Sequence, residues 1–276
     1  MKTRYTADKV RYRTMTTKEL RESFLLSGLF RENELVLEYF EIERAVVGSA
    51  MPTTEPIRLE AGKELAADYF CQRREAGVLN IGGAGKITVD GTDYEMQKLD
   101  CLYIGRESKE VWFAGAAPEA PPRFYILSYP AHSRYPTKRA PKTGAEPTNL
   151  GSPKEANQRT IYKYIHPDGI QSCQLVMGVT VLEQGSVWNT MPAHTHERRT
   201  EVYLYFDIDE NAAVFHLMGP AHETRHIVVR DGQAVVSPMW SIHSGVGTSA
   251  YTFCWGMGGE NQEFSDMDHV EVTSLE

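Results

Sequence analysis

The chain has 276 residues, 41% of them hydrophobic and 24% charged, enough apolar material for one large all-β domain or two modules of ordinary size. Its 37 Asp and Glu outweigh its 29 Lys and Arg, and a net charge of −8 excludes the basic surface that nucleic acids and anionic membranes require. A small anionic substrate stays open, because a few local Arg and Lys reverse the field inside a pocket. The opening stretch Met1 to Lys9 lacks the apolar core of a signal peptide, and no apolar run is long enough to span a bilayer. The cysteines (Cys71, Cys101, Cys173, Cys254) are scattered with no CxxC, so reduced thiols in a cytoplasmic protein are expected.

The first element is a helix. Thr17 serves as its N-cap, Leu20, Phe24 and Leu25 share one face, and Gly28 stops it; its expected role is a cap on a sheet or on a neighbouring subunit. Residues 34–47 are rich in β-branched and aromatic side chains and read as strand. From there to about residue 130 short apolar runs alternate with turns. Asp90-Gly91, between Ile87-Thr-Val89 and Thr92-Asp-Tyr94, is a hairpin signal. The run Gly82-Gly-Ala-Gly85 opens a strand, not a helix, and lacks a GKS/T ending, so it predicts a tight turn and no phosphate loop. Five prolines between Pro130 and Pro153, among Lys, Thr, Gly and Ser, give residues 131–159 the composition of a surface connection. Residues 160–264 return to strands: 173–182, 187–191, 201–208, 213–218, 225–229, 233–237 and 250–255, with Asp231-Gly232 as a turn matching Asp90-Gly91. The expected architecture is all-β, two jelly-roll barrels in one chain with a short N-terminal helix. Residues 1–130 form the first barrel with the helix, and 160–276 the second.

The chemistry gathers at His194-Thr-His196. On an extended backbone two histidines one residue apart point the same way. Glu201 lies an odd step beyond, so a turn within residues 197–200 is needed to bring its carboxylate to the same side. Two imidazoles and a carboxylate make a transition-metal half-site, for which His243 is the expected fourth ligand. None of the nine histidines precedes His132, so an imidazole-based site belongs to the second half. The order Gly185, His194, His196, Glu201, Gly232, Pro238, His243 resembles the paired motifs of cupins, with a longer Gly185-to-His194 spacing and with Trp240 where glycine is usual. One Zn(II) per subunit is expected, although the same donors suit Fe, Mn, Co or Ni. Four protein ligands fill a tetrahedral zinc, and a catalytic role requires expansion beyond four. His226, beside Arg225 and ahead of a strand, is a candidate acid/base, whereas His216 alternates with apolar residues and reads as core. Arg198 and Arg199 flank the ligand hairpin and could bind a carboxylate. Arg159, Lys163 and Tyr164 lie just past the connection, within reach of the pocket.

Longer stretches resemble the 5-keto-4-deoxyuronate isomerase family within the cupins. They are Met191-Pro-Ala-His-Thr-His-Glu-Arg-Arg-Thr-Glu-Val-Tyr, Glu223-Thr-Arg-His-Ile-Val and Ser237-Pro-Met-Trp-Ser-Ile-His-Ser-Gly-Val-Gly-Thr. Val46-Val-Gly-Ser-Ala-Met-Pro, Arg73 through Gly91 and Gly256 through Val270 extend the resemblance over nearly the whole chain. The resemblance implies a two-barrel cupin, generally a hexamer, with zinc on His194, His196, Glu201 and His243. It implies interconversion of 5-dehydro-4-deoxy-D-glucuronate and 3-deoxy-D-glycero-2,5-hexodiulosonate in the breakdown of pectin and related uronates. Such a reaction needs a base, for which His226 and Lys163 compete, and a cation for the substrate carboxylate, for which Arg199, Arg225 and Lys163 compete. The rivals are 5-deoxyglucuronate isomerase of inositol breakdown, an iron cupin dioxygenase and a non-enzymatic cupin that binds sugar acids.

Overall fold

Two-residue turns and alternating apolar residues fold the chain into antiparallel sheets, seen in a computed structural model that describes residues 1–263 and 265–276. Phe264, within the Gly256-to-Val270 stretch, lies outside the described residues. At the first hairpin Asp90 and Gly91 both take positive φ, +47° and +82°, which is the mirror-image turn that matches strand twist. The strands Gly85–Val89 and Thr92–Met96 pair across it. Asp90 adds its carboxylate to the turn, accepting from the backbone N–H groups of Lys109 and Glu110.

The chain divides into two compact units, residues 1–4, 28–146 and 163–177 in one and residues 5–27, 147–162 and 178–276 in the other. In the first, a seven-stranded sheet runs in the order Lys2–Arg4, Leu35–Phe40, Val46–Ala50, Phe124–Pro130, Arg74–Asn80, Cys101–Ile104, Lys138–Ala140. A four-stranded sheet, Ile57–Arg58, Val111–Gly115, Gly85–Val89, Thr92–Met96, completes it. Ala76, Val78, Ile87, Leu102, Phe113, Phe124 and Ile126 belong to its buried apolar core. Residues 34–47 are two strands and not one, because Ile42–Arg44 turns between them.

In the second, the seven-stranded sheet reads Pro147–Leu150, Arg159–Ile165, Val176–Leu182, Thr252–Gly259, Arg199–Phe206, Gln233–Ser237, Leu25–Leu26. A three-stranded sheet reads Arg225–Val229, Val214–Gly219, Ile242–Gly247. Within each large sheet the fourth strand comes later in the chain than the fifth and sixth, which follow one another in chain order. The two large sheets thus share the relative chain order of their fourth, fifth and sixth strands. Two expectations shift here. Residues 187–191 form no regular strand and make only a bridge from Trp188 to Val246. The connection, in turn, carries two short strands, Lys138–Ala140 and Pro147–Leu150, which extend the sheets.

The N-terminal helix Thr17–Phe24 belongs to the second unit, not to the first module where the sequence reading put it. Three contacts place it there. Tyr12 donates its hydroxyl proton to the Met218 carbonyl at 2.9 Å, Arg21 donates to the Val228 carbonyl at 2.7 Å, and Leu25–Leu26 pairs with Val235 and Ala234. Its N-cap is Thr16 and not Thr17, since only Thr16 has a glutamate, Glu19, three residues on to close a capping box. Leu20 and Phe24 are buried, as their shared face requires, and Phe24 meets the Trp240 ring edge-on at 6.3 Å.

Candidate metal centre

His194 stands on the two-residue strand His194–Thr195, which pairs with Asp268–His269. The chain turns immediately after, with the Arg199 N–H donating to the His196 carbonyl at 3.2 Å. The strand Arg199–Phe206 then begins, buried at every position between Gln233–Ser237 and Thr252–Gly259. Glu201 is its third residue, so the turn restores the parity that an unbroken strand would have lost. His243 comes from Ile242–Gly247 opposite Met218. The donor atoms of His194, His196, Glu201 and His243 all lie within 4.8 Å of one another, and all four side chains are buried.

Within this group the Nε2 atoms of His194 and His243 are 3.0 Å apart. Glu201 Oε2 is 2.8 Å from His243 Nε2 and 3.0 Å from His196 Nε2. The His196 Nε2 contact lacks hydrogen-bond geometry, so this buried nitrogen is left without a partner. Its other nitrogen, Nδ1, faces the Arg199 carbonyl at 3.5 Å. Burial pushes His194 down to about 3, and the adjacent His243 adds to this, so His194 is neutral with a lone pair to give. Burial alone would raise the Glu201 carboxyl, but His243 and His196 hold it well below the usual range and keep it ionised. Three buried imidazoles converging with one carboxylate, one of them with an orphaned nitrogen, fit a divalent cation.

A cavity of about 260 Å³ opens onto the cluster. Arg159 and Ile161 line one side, Thr190 and Tyr203 another, and Phe253, Trp255, Met257 and Met267 supply an apolar wall. Tyr203 shares a hydrogen bond with Thr190 at 2.8 Å and sets its ring edge-on to His243 at 5.5 Å.

The catalytic and substrate-binding residues expected from the sequence fall elsewhere. His226 is exposed, on the outer face of Arg225–Val229 against Phe215, because Ile227 and Val229 take the inward positions. Lys163 is not in the wall; its strand contributes Arg159 and Ile161 instead. Arg199 is fully buried and donates to the backbone carbonyls of Glu263 (2.8 Å) and Asp266 (2.9 Å), so it fastens the C-terminal segment. Arg225 donates to the Tyr12 carbonyl and packs over its ring. Arg198 pairs with Asp266 and Asp268. A residue the sequence reading missed is His269, which lines the cavity opposite His194. Only its pairing with His194 across 75 residues of chain reveals it.

His216 is core, as its alternation with apolar residues implied. It is fully buried, with Nδ1 2.7 Å from the Tyr205 hydroxyl and Nε2 3.3 Å from Ser237 Oγ. Burial, and then His243, push it down to about 3, whereas in the unfolded chain it titrates near ~6.5. The unfolded state therefore takes up the proton first. The stability that His216 contributes is complete above pH ~6.5 and falls as the pH drops towards 3, by up to about 1.4 kcal/mol per unit. His216→Gln is expected to remove that increment from the difference in unfolding free energy between pH 6 and pH 5, measured with urea. An unchanged slope would show that His216 is not held neutral.

The KduI/IolB family model matches residues 27–272. A 4-deoxy-L-threo-5-hexosulose-uronate ketol-isomerase of Shouchella clausii is 54% identical over 275 residues, covering 100% of both chains. One of that name from Escherichia coli O45:K1 is 53% identical over 265 residues, 95% of each. Among solved structures, an IolB-like protein from Salmonella typhimurium superposes with a TM-score of 0.70 at 11% identity, over 90% of this chain and 96% of that one, a likeness of fold. Together these matches, with the two cupin-type barrels and the buried His3Glu cluster, establish that the chain belongs to the KduI/IolB family.

Proposed function

We propose that the protein is a ketol-isomerase that converts 5-dehydro-4-deoxy-D-glucuronate to 3-deoxy-D-glycero-2,5-hexodiulosonate. The observation that carries the reading is identity of 54% over the full length of a relative named for that reaction. The site supports it. An aldose-to-ketose conversion moves hydrogen between C1 and C2, and a bound divalent ion supplies polarisation of the carbonyl and stabilisation of developing negative charge. His194, His196, Glu201 and His243 would hold that ion. His269, an imidazole on the cavity wall outside the ligand set, takes the place of His226 as the group able to carry a proton. Trp255, Met257 and Met267 shield the site from water and suit the deoxygenated carbon, which offers nothing to hydrogen-bond. Zinc as the resident ion, a hexamer of identical chains, a cytoplasmic location and a place in pectin breakdown are further parts of the reading, supported by family resemblance.

The test is an NMR time course with the uronate in D2O. The ketose product is expected, with deuterium at the transferred position if an enediol forms and none if hydride moves directly. No product from metal-replete protein would overturn the reading, and oxygen uptake in its place would favour a dioxygenase.

A further inference from the structure

We propose that Arg159 is the carboxylate anchor of the cavity, the residue that selects sugar acids over neutral sugars. This deepens the isomerase reading and rests on it for the identity of the substrate. Arg159 opens the strand Arg159–Ile165, and Ile161 two residues on lines the same cavity. It is the one Arg or Lys among the lining residues, set among methionine, aromatic and threonine side chains. Its guanidinium donates one hydrogen bond, from Nη1 to the Asn157 carbonyl at 2.8 Å. Among the described residues it has no carboxylate in ion-pair range and no second hydrogen-bond acceptor.

The other arginines weighed for this role are committed to protein partners: Arg198 to two aspartates, Arg199 to two carbonyls, Arg225 to Tyr12. A half-buried guanidinium with most of its fork unmatched is costly, because lost hydration is not replaced. A ligand carboxylate replaces it in bidentate geometry that lysine cannot reproduce. With the acid end of the substrate held at Arg159, the carbonyl end is left for the His3Glu cluster in the same cavity.

The experiment compares wild type, Arg159→Met and Arg159→Lys, each checked for bound metal. With the uronate, Arg159→Met is expected to raise KM about 30-fold while kcat stays within about threefold, since a hydrogen-bonded charge pair acts on binding. Arg159→Lys should recover part of the loss, which a purely structural role would not show. Calorimetry with glucuronate and glucose gives a second readout that needs no turnover: wild type is expected to prefer the acid, and Arg159→Met to lose the preference. Arg159-dependent glucuronate binding without uronate turnover would keep the anchor and sink the isomerase reading. Arg159→Met with unchanged KM and unchanged glucuronate binding would overturn the anchor and leave the isomerase reading standing.

Discussion

Glu201→Gln is expected to strip the protein of metal and lower turnover by at least about 1,000-fold. The amide matches the carboxylate in shape, so the strand Arg199–Phe206, buried along its whole length, has no reason to move. What changes is charge. Glu201 is the one anionic member of the cluster, and its Oε2 lies within 3.0 Å of both His196 and His243. Without it three imidazoles, with no anion among them, must hold a divalent ion in a desolvated site, and an amide N–H competes for the same space. Metal analysis of the folded variant, beside its uronate turnover, checks both parts. Wild-type metal content and rate would show that Glu201 is not a ligand.

The second large effect is on stability and lies in the first unit. Glu75 is fully buried, yet its carboxylate is saturated with donors. It accepts from the Tyr103 hydroxyl at 2.8 Å and from the backbone N–H groups of Cys173 (2.7 Å), Gln174 (2.9 Å) and Leu175 (2.9 Å). Hydrogen bonds to a charged acceptor are the strong ones, and a buried donor left alone loses its full hydration. Glu75→Ala orphans four donors at once and is expected to cost about 3–5 kcal/mol. For a unit of this size that lowers the melting temperature by roughly 6–20 °C. Glu75→Gln should recover only part of this, because its amide N–H group faces donors. A melting temperature within about 2 °C of wild type for Glu75→Ala would contradict this role.

The convergence of the His3Glu cluster was legible in the sequence because most of it depends on local rules. His194 and His196 share strand parity, the turn at residues 196–199 returns Glu201 to the same side, and the distant His243 completes the cupin order. The two-barrel, all-β plan was legible for the same reason, since Asp90-Gly91 and the period-two runs are local signals. The partners of Arg199 and Arg225 were not legible, because contacts far along the chain fix them. Arg199 sits two residues from a ligand but is spoken for by carbonyls at Glu263 and Asp266, more than 60 residues later. Arg225 and the helix went to unexpected partners through Tyr12 and Leu25–Leu26, contacts with no sequence signature. His226 is different. The alternation of Ile227 and Val229 turns it outward, a parity that the sequence itself carries. Parity likewise pairs Arg159 with Ile161 at the cavity.

Dependence of isomerisation on an ion held by the His3Glu cluster is the central expectation. Its most direct test is to strip the protein with a chelator, confirm by circular dichroism that it stays folded, and titrate zinc back while following the uronate by NMR. Turnover that disappears with the ion and returns in proportion to it, saturating at one equivalent per chain, is the result expected. Full turnover by metal-free, folded protein would contradict it.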